Sequence, residues 1–177
     1  MLIKKVSLLF LGFVFLLSSF GLPKNLEKKV QKEVKHVFSV EEFSKELIKV
    51  PETIVAKLPL KLSVDNFFKV SSKTKNLGYV FVDKAASKTA MFDYLIVFNS
   101  DLEIIHSKVL IYREEYGGEI GSKRWLKQFI GKTGEDRVNH ETNIDGISGA
   151  TISVRSMTNA IDNVLQTIGI LQENKVL

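Results

Sequence analysis

Tyr94-Leu95-Ile96-Val97-Phe98-Asn99-Ser100-Asp101-Leu102-Glu103-Ile104-Ile105 sets two apolar runs on either side of a short polar break. β-Branched and aromatic side chains fill the runs, while Asn, Ser and Asp are residues that turn a chain tightly. The pattern predicts an antiparallel hairpin. Working outward, Phe67-Phe68-Lys69-Val70 and Leu77 to Val82 precede it as two more strands, and its second arm runs on through Val109-Leu110-Ile111-Tyr112. Downstream the apolar period lengthens to that of a helix. Trp125, Leu126, Phe129 and Ile130 give Lys123 to Ile130 a short apolar face, ended by Gly131. Met157, Ala160, Ile161, Val164, Leu165, Ile168 and Leu171 recur at threes and fours opposite Ser156, Asn159, Asp162, Asn163 and Gln166, which predicts a long amphipathic helix. Upstream, Leu26, Val30, Val34 and Val37, then Phe43, Leu47 and Ile48, predict short helices between Asn25 and about Leu58, interrupted at Pro51. The expected class is α+β: an antiparallel sheet with helices on one side and a short helical N-terminal segment.

A chain of 177 residues has room for one domain with its own core. Its 45% apolar and 25% charged content is that of a globular protein. The formal net charge is +5, of which Lys4 and Lys5 supply two. Most of the other basic residues, in Lys24 to Lys35, Lys69 to Lys88 and Lys123 to Arg137, are interleaved with Asp or Glu. That distribution lacks the stripe that tracks nucleic-acid phosphates, so no nucleic-acid partner is expected. With no cysteine, disulfides, thiolate zinc sites, iron–sulfur clusters and a lipidated-cysteine anchor are excluded. His36, His106 and His140 stand alone, without metal-ligand spacing, and no metal site is expected. No GxGxxG follows a strand, which argues against a Rossmann site. Redox chemistry in such a chain must come from a bound organic cofactor.

The N-terminus has the layout of a secretory signal: Lys4-Lys5, an apolar stretch from Val6 to Leu17, then Ser18-Ser19-Phe20-Gly21 before Pro23. Cleavage near Gly21 is expected. An uncleaved membrane anchor is the other reading, because no charge interrupts Val6 to Leu22, although a span wants about 20 residues. Either way the body lies outside the cytoplasm, periplasmic or on the outer face of the cytoplasmic membrane. The expected organisation is a leader over 1–21, a helical segment over 22–64 and the main domain over 65–177.

The chemistry concentrates in Asp145-Gly146-Ile147-Ser148-Gly149-Ala150-Thr151, which ends where the long helix begins. Helix starts expose unpaired N–H groups and a partial positive charge, and so favour a phosphate. Gly146 and Gly149 allow sharp turns and close approach to a ligand, and Thr151 or Ser153 is expected to cap the helix. On these grounds alone the segment is either an anion cradle or simply a well-capped helix. Asp145 has no partner at a useful spacing for catalysis, and its expected role is to shape the loop. Glu114-Glu115 reads as a solvated strand exit. No catalytic residue is assigned.

The run from Asp145 to Thr151 resembles the flavinylation motif of the FMN-binding domain family, which includes the flavin-bearing subunits of the sodium-translocating NADH:quinone reductase and the Rnf complex. In that family the motif's final Thr is esterified to the FMN phosphate by a dedicated flavin transferase, and Thr151 stands at that position. The similarity extends back to about Leu77 and takes in Tyr116-Gly117-Gly118-Glu119-Ile120-Gly121 and the Trp125 helix. The transport subunits carry a Pro-Gly-type loop where this chain has Tyr116-Gly117-Gly118, which points to a stand-alone exported member.

The resemblance implies that 65–177 is an FMN-binding domain and the protein an exported electron-transfer flavoprotein with FMN held covalently on Thr151. It would be a carrier rather than a self-sufficient enzyme. The implied cofactor-binding set is Thr151, Ser148, Gly149, Ala150, Asp145, Gly146 and Ser153, with Gly117, Gly118, Tyr116 and Trp125 toward the flavin ring. Tyr112 and Phe129 are further ring neighbours, and Lys123, Arg124 and Arg155 are cations for the phosphate. Trp125 and Phe129 read equally well as the buried face of their helix, and the two glycines as a strand end. The implied partners are the flavin transferase and a membrane redox partner as electron donor, with membrane association possible. Two other readings stand beside this one: a flavin-dependent reductase of a small extracytoplasmic substrate, and a flavin-free exported binding or assembly module.

Overall fold

The computed structural model describes residues 21–63, 65–73 and 75–177. The leader expected over 1–21 therefore lies outside the described residues apart from Gly21. Five strands form one antiparallel sheet in simple sequential order: β1 (Ser44–Leu47), β2 (Phe67–Ser72), β3 (Lys75–Ala86), β4 (Met91–Phe98) and β5 (Ile104–Ile111). The predicted hairpin joins β4 to β5. Its turn is built by Asn99, whose side-chain oxygen accepts from the backbone N–H groups of Asp101 and Glu103, each at 3.0 Å. An Asn side chain standing in for a backbone acceptor is what this residue type does in turns.

β4 decides how the helices are arranged. Every residue from Phe92 to Phe98 is buried, so both faces of the strand need cover. Phe92, Tyr94, Ile96 and Phe98 enter one core with α3 (Lys123–Leu126) and α4 (Thr151–Glu173), while Leu95 and Val97 enter a second with α1 (Lys24–Phe38). The expectation of helices on one side is thus corrected. The Leu26, Val30 and Val34 stripe of α1 needs an apolar surface, and the second face of β3 and β4 supplies it through Val80, Val82, Leu95 and Val97. Fully burying a side chain of this size stabilises by about 1.5–3 kcal/mol.

A second correction concerns Phe43 to Ile48, expected as helix. Ser44–Leu47 is instead the edge strand β1, paired antiparallel with β2 from Ser44↔Ser71 to Leu47↔Phe68. All four of its residues are exposed, Leu47 among them, while Phe43 and Ile48 at its two ends are partly buried against different cores rather than sharing one helical face. Pairing with the open edge of β2 satisfies backbone groups that a lone helical turn would leave to water. The segment 22–64 also contains the short helix α2 (Glu52–Val55), where Ile54 joins the α4 core.

The long helix falls where the pattern predicts. Met157, Ile161, Val164, Leu165, Ile168 and Leu171 are all buried on the sheet. Ser122 caps α3 by accepting from the Trp125 N–H at 3.4 Å, and the helix tightens into a 3-10 turn over Lys127–Phe129. These packings fix the start of α4 against the end of β5.

Candidate functional site

α4 begins without a side-chain cap. Its N-cap position is Ala150, whose methyl group offers no acceptor. The expectation that Thr151 or Ser153 caps the helix is corrected: Thr151 is the first helical residue and is exposed, and the buried Ser153 hydroxyl lies 3.1 Å from the Tyr112 hydroxyl. Ala in place of Ser, Thr, Asp or Asn at a helix N-cap costs about 1 kcal/mol. What the protein has instead is a set of N–H groups without intrahelical partners and a positive dipole end, both open to a ligand. An anion is the ligand that such an end receives.

The loop before α4 is held from two sides. The Ala150 N–H donates to the Ile147 carbonyl at 3.1 Å, closing a turn in which Gly149 takes φ 80. That left-handed backbone suits glycine, since a Cβ there costs about 1–2 kcal/mol. At the other end, Trp125 Nε1 donates to the Asp145 carbonyl at 2.7 Å and the Asp145 N–H donates to Gln128 Oε1 at 2.8 Å. It is thus the backbone of Asp145 that is fastened, and among the described residues its carboxylate makes no hydrogen bond. Trp125 itself is buried and meets Phe129 edge-on at 5.2 Å.

A cavity of about 850 Å³ opens over the start of α4. Gly149, Ala150, Thr151, Ile152 and Ser153 form one wall, with Tyr112 to Tyr116 and the Lys88-Thr89 turn opposite. Its size lies within the range of cofactor clefts. Tyr116 and Ile152 are 80% and 51% exposed, so an aromatic ring and a branched aliphatic chain stand bare beside the open helix end. Gly117 explains how the two walls come so close. Its φ is 84, and a Cβ there would lie 2.7 Å from the Tyr112 hydroxyl and 3.4 Å from the Ala150 Cβ. The Tyr112 hydroxyl bonds both the Tyr116 carbonyl, at 3.0 Å, and Ser153 across the gap.

Two cations and two acids, Glu114 and Glu115, line this cavity and were missed by sequence reasoning. Lys88 and Arg113 line it. Arg113 is anchored by Asp93, a carboxylate 1% exposed within β4, and by the Met91 carbonyl at 2.7 Å. Glu114 is no solvated strand exit. It accepts from the Ser87 hydroxyl at 2.7 Å, from the Thr89 N–H and hydroxyl, and from the Ala90 N–H at 3.0 Å. These donors, Ser87 foremost, hold its carboxyl down to about 2. The acid is therefore the clasp that forms the Lys88-Thr89 turn into a wall. The only sequence hint was a lone buried Asp in an apolar strand, which needs a cation nearby.

The expected residues divide between two clefts. Ser153, Gly149, Ala150, Thr151 and Tyr116 gather at the large cavity. Asp145, Gly146, Ser148 and Trp125 line an adjoining cleft of about 410 Å³, on the other side of the motif loop, together with Arg124. Gly117 and Gly118 start the 3-10 turn Gly118–Gly121 beside Tyr112. Phe129 is wholly buried in the core and is corrected as a ring neighbour. The cations expected at the phosphate are also corrected: Lys123 lines a separate cleft with His36 and His106, and Arg155 donates to His140 at 3.0 Å.

An uncapped helix start, two cations in the cleft wall and bare aromatic cover suit a ligand with a phosphate at one end and a planar ring at the other. Residues 90–166 match the family model described as the FMN-binding domain. Over that stretch the chain is similar to the FMN-binding domain. The match opens just before β4 and closes within α4, so it contains the whole motif loop while α1 and β1 to β3 lie outside it. No curated protein matches the chain. The matched stretch suggests a flavin-binding protein, and it contains the motif loop, the open helix start and residues of both adjoining clefts.

Proposed function

We propose that this is an exported electron-transfer flavoprotein in which FMN is held covalently through a phosphoester to Thr151. The observation that carries the reading is the bare start of α4, where Thr151 presents its hydroxyl beside N–H groups that no side chain caps. A phosphate on that hydroxyl would receive those donors together with Lys88 and Arg113 from the facing wall. The dipole contributes only about 0.3–1 kcal/mol, so a covalent bond is what retains the cofactor where free flavin is dilute. Forming it takes the proton from the Thr151 hydroxyl and makes a phosphorus–oxygen bond. A phosphoanhydride in an activated flavin donor breaks in exchange, on a flavin transferase.

Tyr116 and Ile152 are the side chains available to cover the ring, and Tyr112 and Ser153 hold the wall that supports them. When bound, the flavin supplies reversible one- and two-electron redox chemistry. The protein supplies position and shelter. Glu114 is committed to its clasp on Ser87, Thr89 and Ala90 rather than turned to a ligand, which favours a carrier over a reductase with its own substrate. The leader favours action outside the cytoplasm, with a membrane redox partner as donor.

The test is to co-express the chain with a flavin transferase and run it on a denaturing gel. Flavin fluorescence that travels with the chain, and vanishes in Thr151→Ala, is expected. A dark band from wild type, or a fluorescent one from Thr151→Ala, contradicts the proposal.

A further inference from the structure

The lysines of α1 become a single surface once the fold is known. At about 100° per residue, Lys24, Lys28, Lys32 and Lys35 fall within an arc of roughly 80°, opposite the buried stripe of Leu26, Val30 and Val34. All four are exposed, and none forms an ion pair among the described residues. The two acids of the helix are turned to its flanks and already engaged. Glu27 pairs with Lys45 of β1 and accepts from Gln31. Glu33 pairs with Lys108 and faces His106 of β5 at 3.5 Å. The interleaving that made this stretch read as balanced along the sequence disappears in space. A row of four uncompensated ammonium groups remains, about 16 Å long.

We propose that the outer face of α1 docks on anionic phospholipid head-groups and so sets how the domain stands at a membrane. The proposal does not depend on the flavin reading. Three observations select a lipid surface. The row is straight and made of lysine alone, and α1 has no Arg for bidentate recognition of a shaped partner. It begins two residues after Leu22, where a stretch from Val6 without a charge ends, and export through that leader delivers the row at a bilayer whether or not cleavage follows. No aromatic residue interleaves Lys24 to Lys35, which a nucleic-acid strand would use for stacking. Because α1 and α4 cover opposite faces of the sheet, docking through α1 leaves the Thr151 cleft on the side away from the lipid. The cleft then stays open to aqueous partners.

The experiment is lysine footprinting by acylation and mass spectrometry on the full chain, in bilayers of phosphatidylcholine alone and of phosphatidylcholine with phosphatidylglycerol. Each lysine near an anionic surface contributes about fivefold to binding, so labelling at Lys24, Lys28, Lys32 and Lys35 should fall by at least about fivefold in the anionic bilayer. Lys175, just beyond α4, should label equally in both. Protection should be lost when salt is raised to about 0.5 M. A chain with all four lysines changed to Gln should show no lipid-dependent protection at Lys29. Equal labelling of the row in the two bilayers overturns the proposal. So does protection that appears only on adding nucleic acid or an acidic protein.

Discussion

Trp125→Phe removes one N–H and part of one ring from the place where α3 meets the motif loop. The lost bond is Nε1 to the Asp145 carbonyl, 2.7 Å, and a hydrogen bond of this kind contributes about 0.5–1.5 kcal/mol. Asp145 is exposed, so water resolvates its carbonyl and the loss stays within that range. Trp125 is 4% exposed and packed on Phe129, and the smaller ring leaves a void there that costs about 1–2 kcal/mol more. The sum, about 1.5–3.5 kcal/mol, lowers Tm by roughly 3–14 °C in a domain of this size. Hydrogen exchange read by mass spectrometry separates the two parts. Amides from Asp145 to Ala150 should exchange about three- to tenfold faster than in wild type, beyond any global change. Gln128→Leu, which strips the other fastening at the Asp145 N–H, should couple to Trp125→Phe by at least about 0.5 kcal/mol in a double-mutant cycle. Unchanged exchange across the loop despite a lower Tm, or strict additivity, would refute the idea that α3 pins the cofactor loop.

Arg113→Ala should cost about 3–5 kcal/mol in urea unfolding, because it leaves the Asp93 carboxylate unpaired at 1% exposure. Gly117→Ala should destabilise by about 1–2 kcal/mol from its left-handed backbone, and it should also break the Tyr112–Ser153 contact. Its flavin loading, read by absorbance, should fall more than its stability does. The Glu114 carboxyl sits at about 2 in the fold against an ordinary 4.5, so its contribution is complete above about 4.5 and drains away as pH falls toward 2. A Tm–pH profile should therefore be flatter in that window for Glu114→Gln than for wild type.

The strands from β2 to β5 and the long helix were legible because their apolar periods are strong and their turns use Asn, Ser, Asp and Gly in ordinary ways. β1 was not, since an edge strand with four exposed residues carries no burial signal and exists only because β2 offers it a partner. Helices on both faces were not read from the sequence, because Asp93 interrupts the apolar residues of β4 and its run from Tyr94 to Phe98 says nothing of which helix covers which face. At the site, Thr151 and the loop before it could be read directly. Lys88, Arg113 and Glu114 could not, because they reach the cleft through pairings between residues 20 or more positions apart, with Asp93, Ser87 and Thr89. The missing cap was hidden for a different reason: a Thr and a Ser stand at the helix start, and only the fold reveals that Ala150 occupies the capping position.

Intact-mass and peptide-fragmentation analysis of the chain matured with a flavin transferase tests the central claim most directly. The account predicts a mass increase of one esterified FMN, mapped to Thr151 and absent from Thr151→Ala. An unmodified wild-type mass, or a flavin mapped to any other residue, would contradict it.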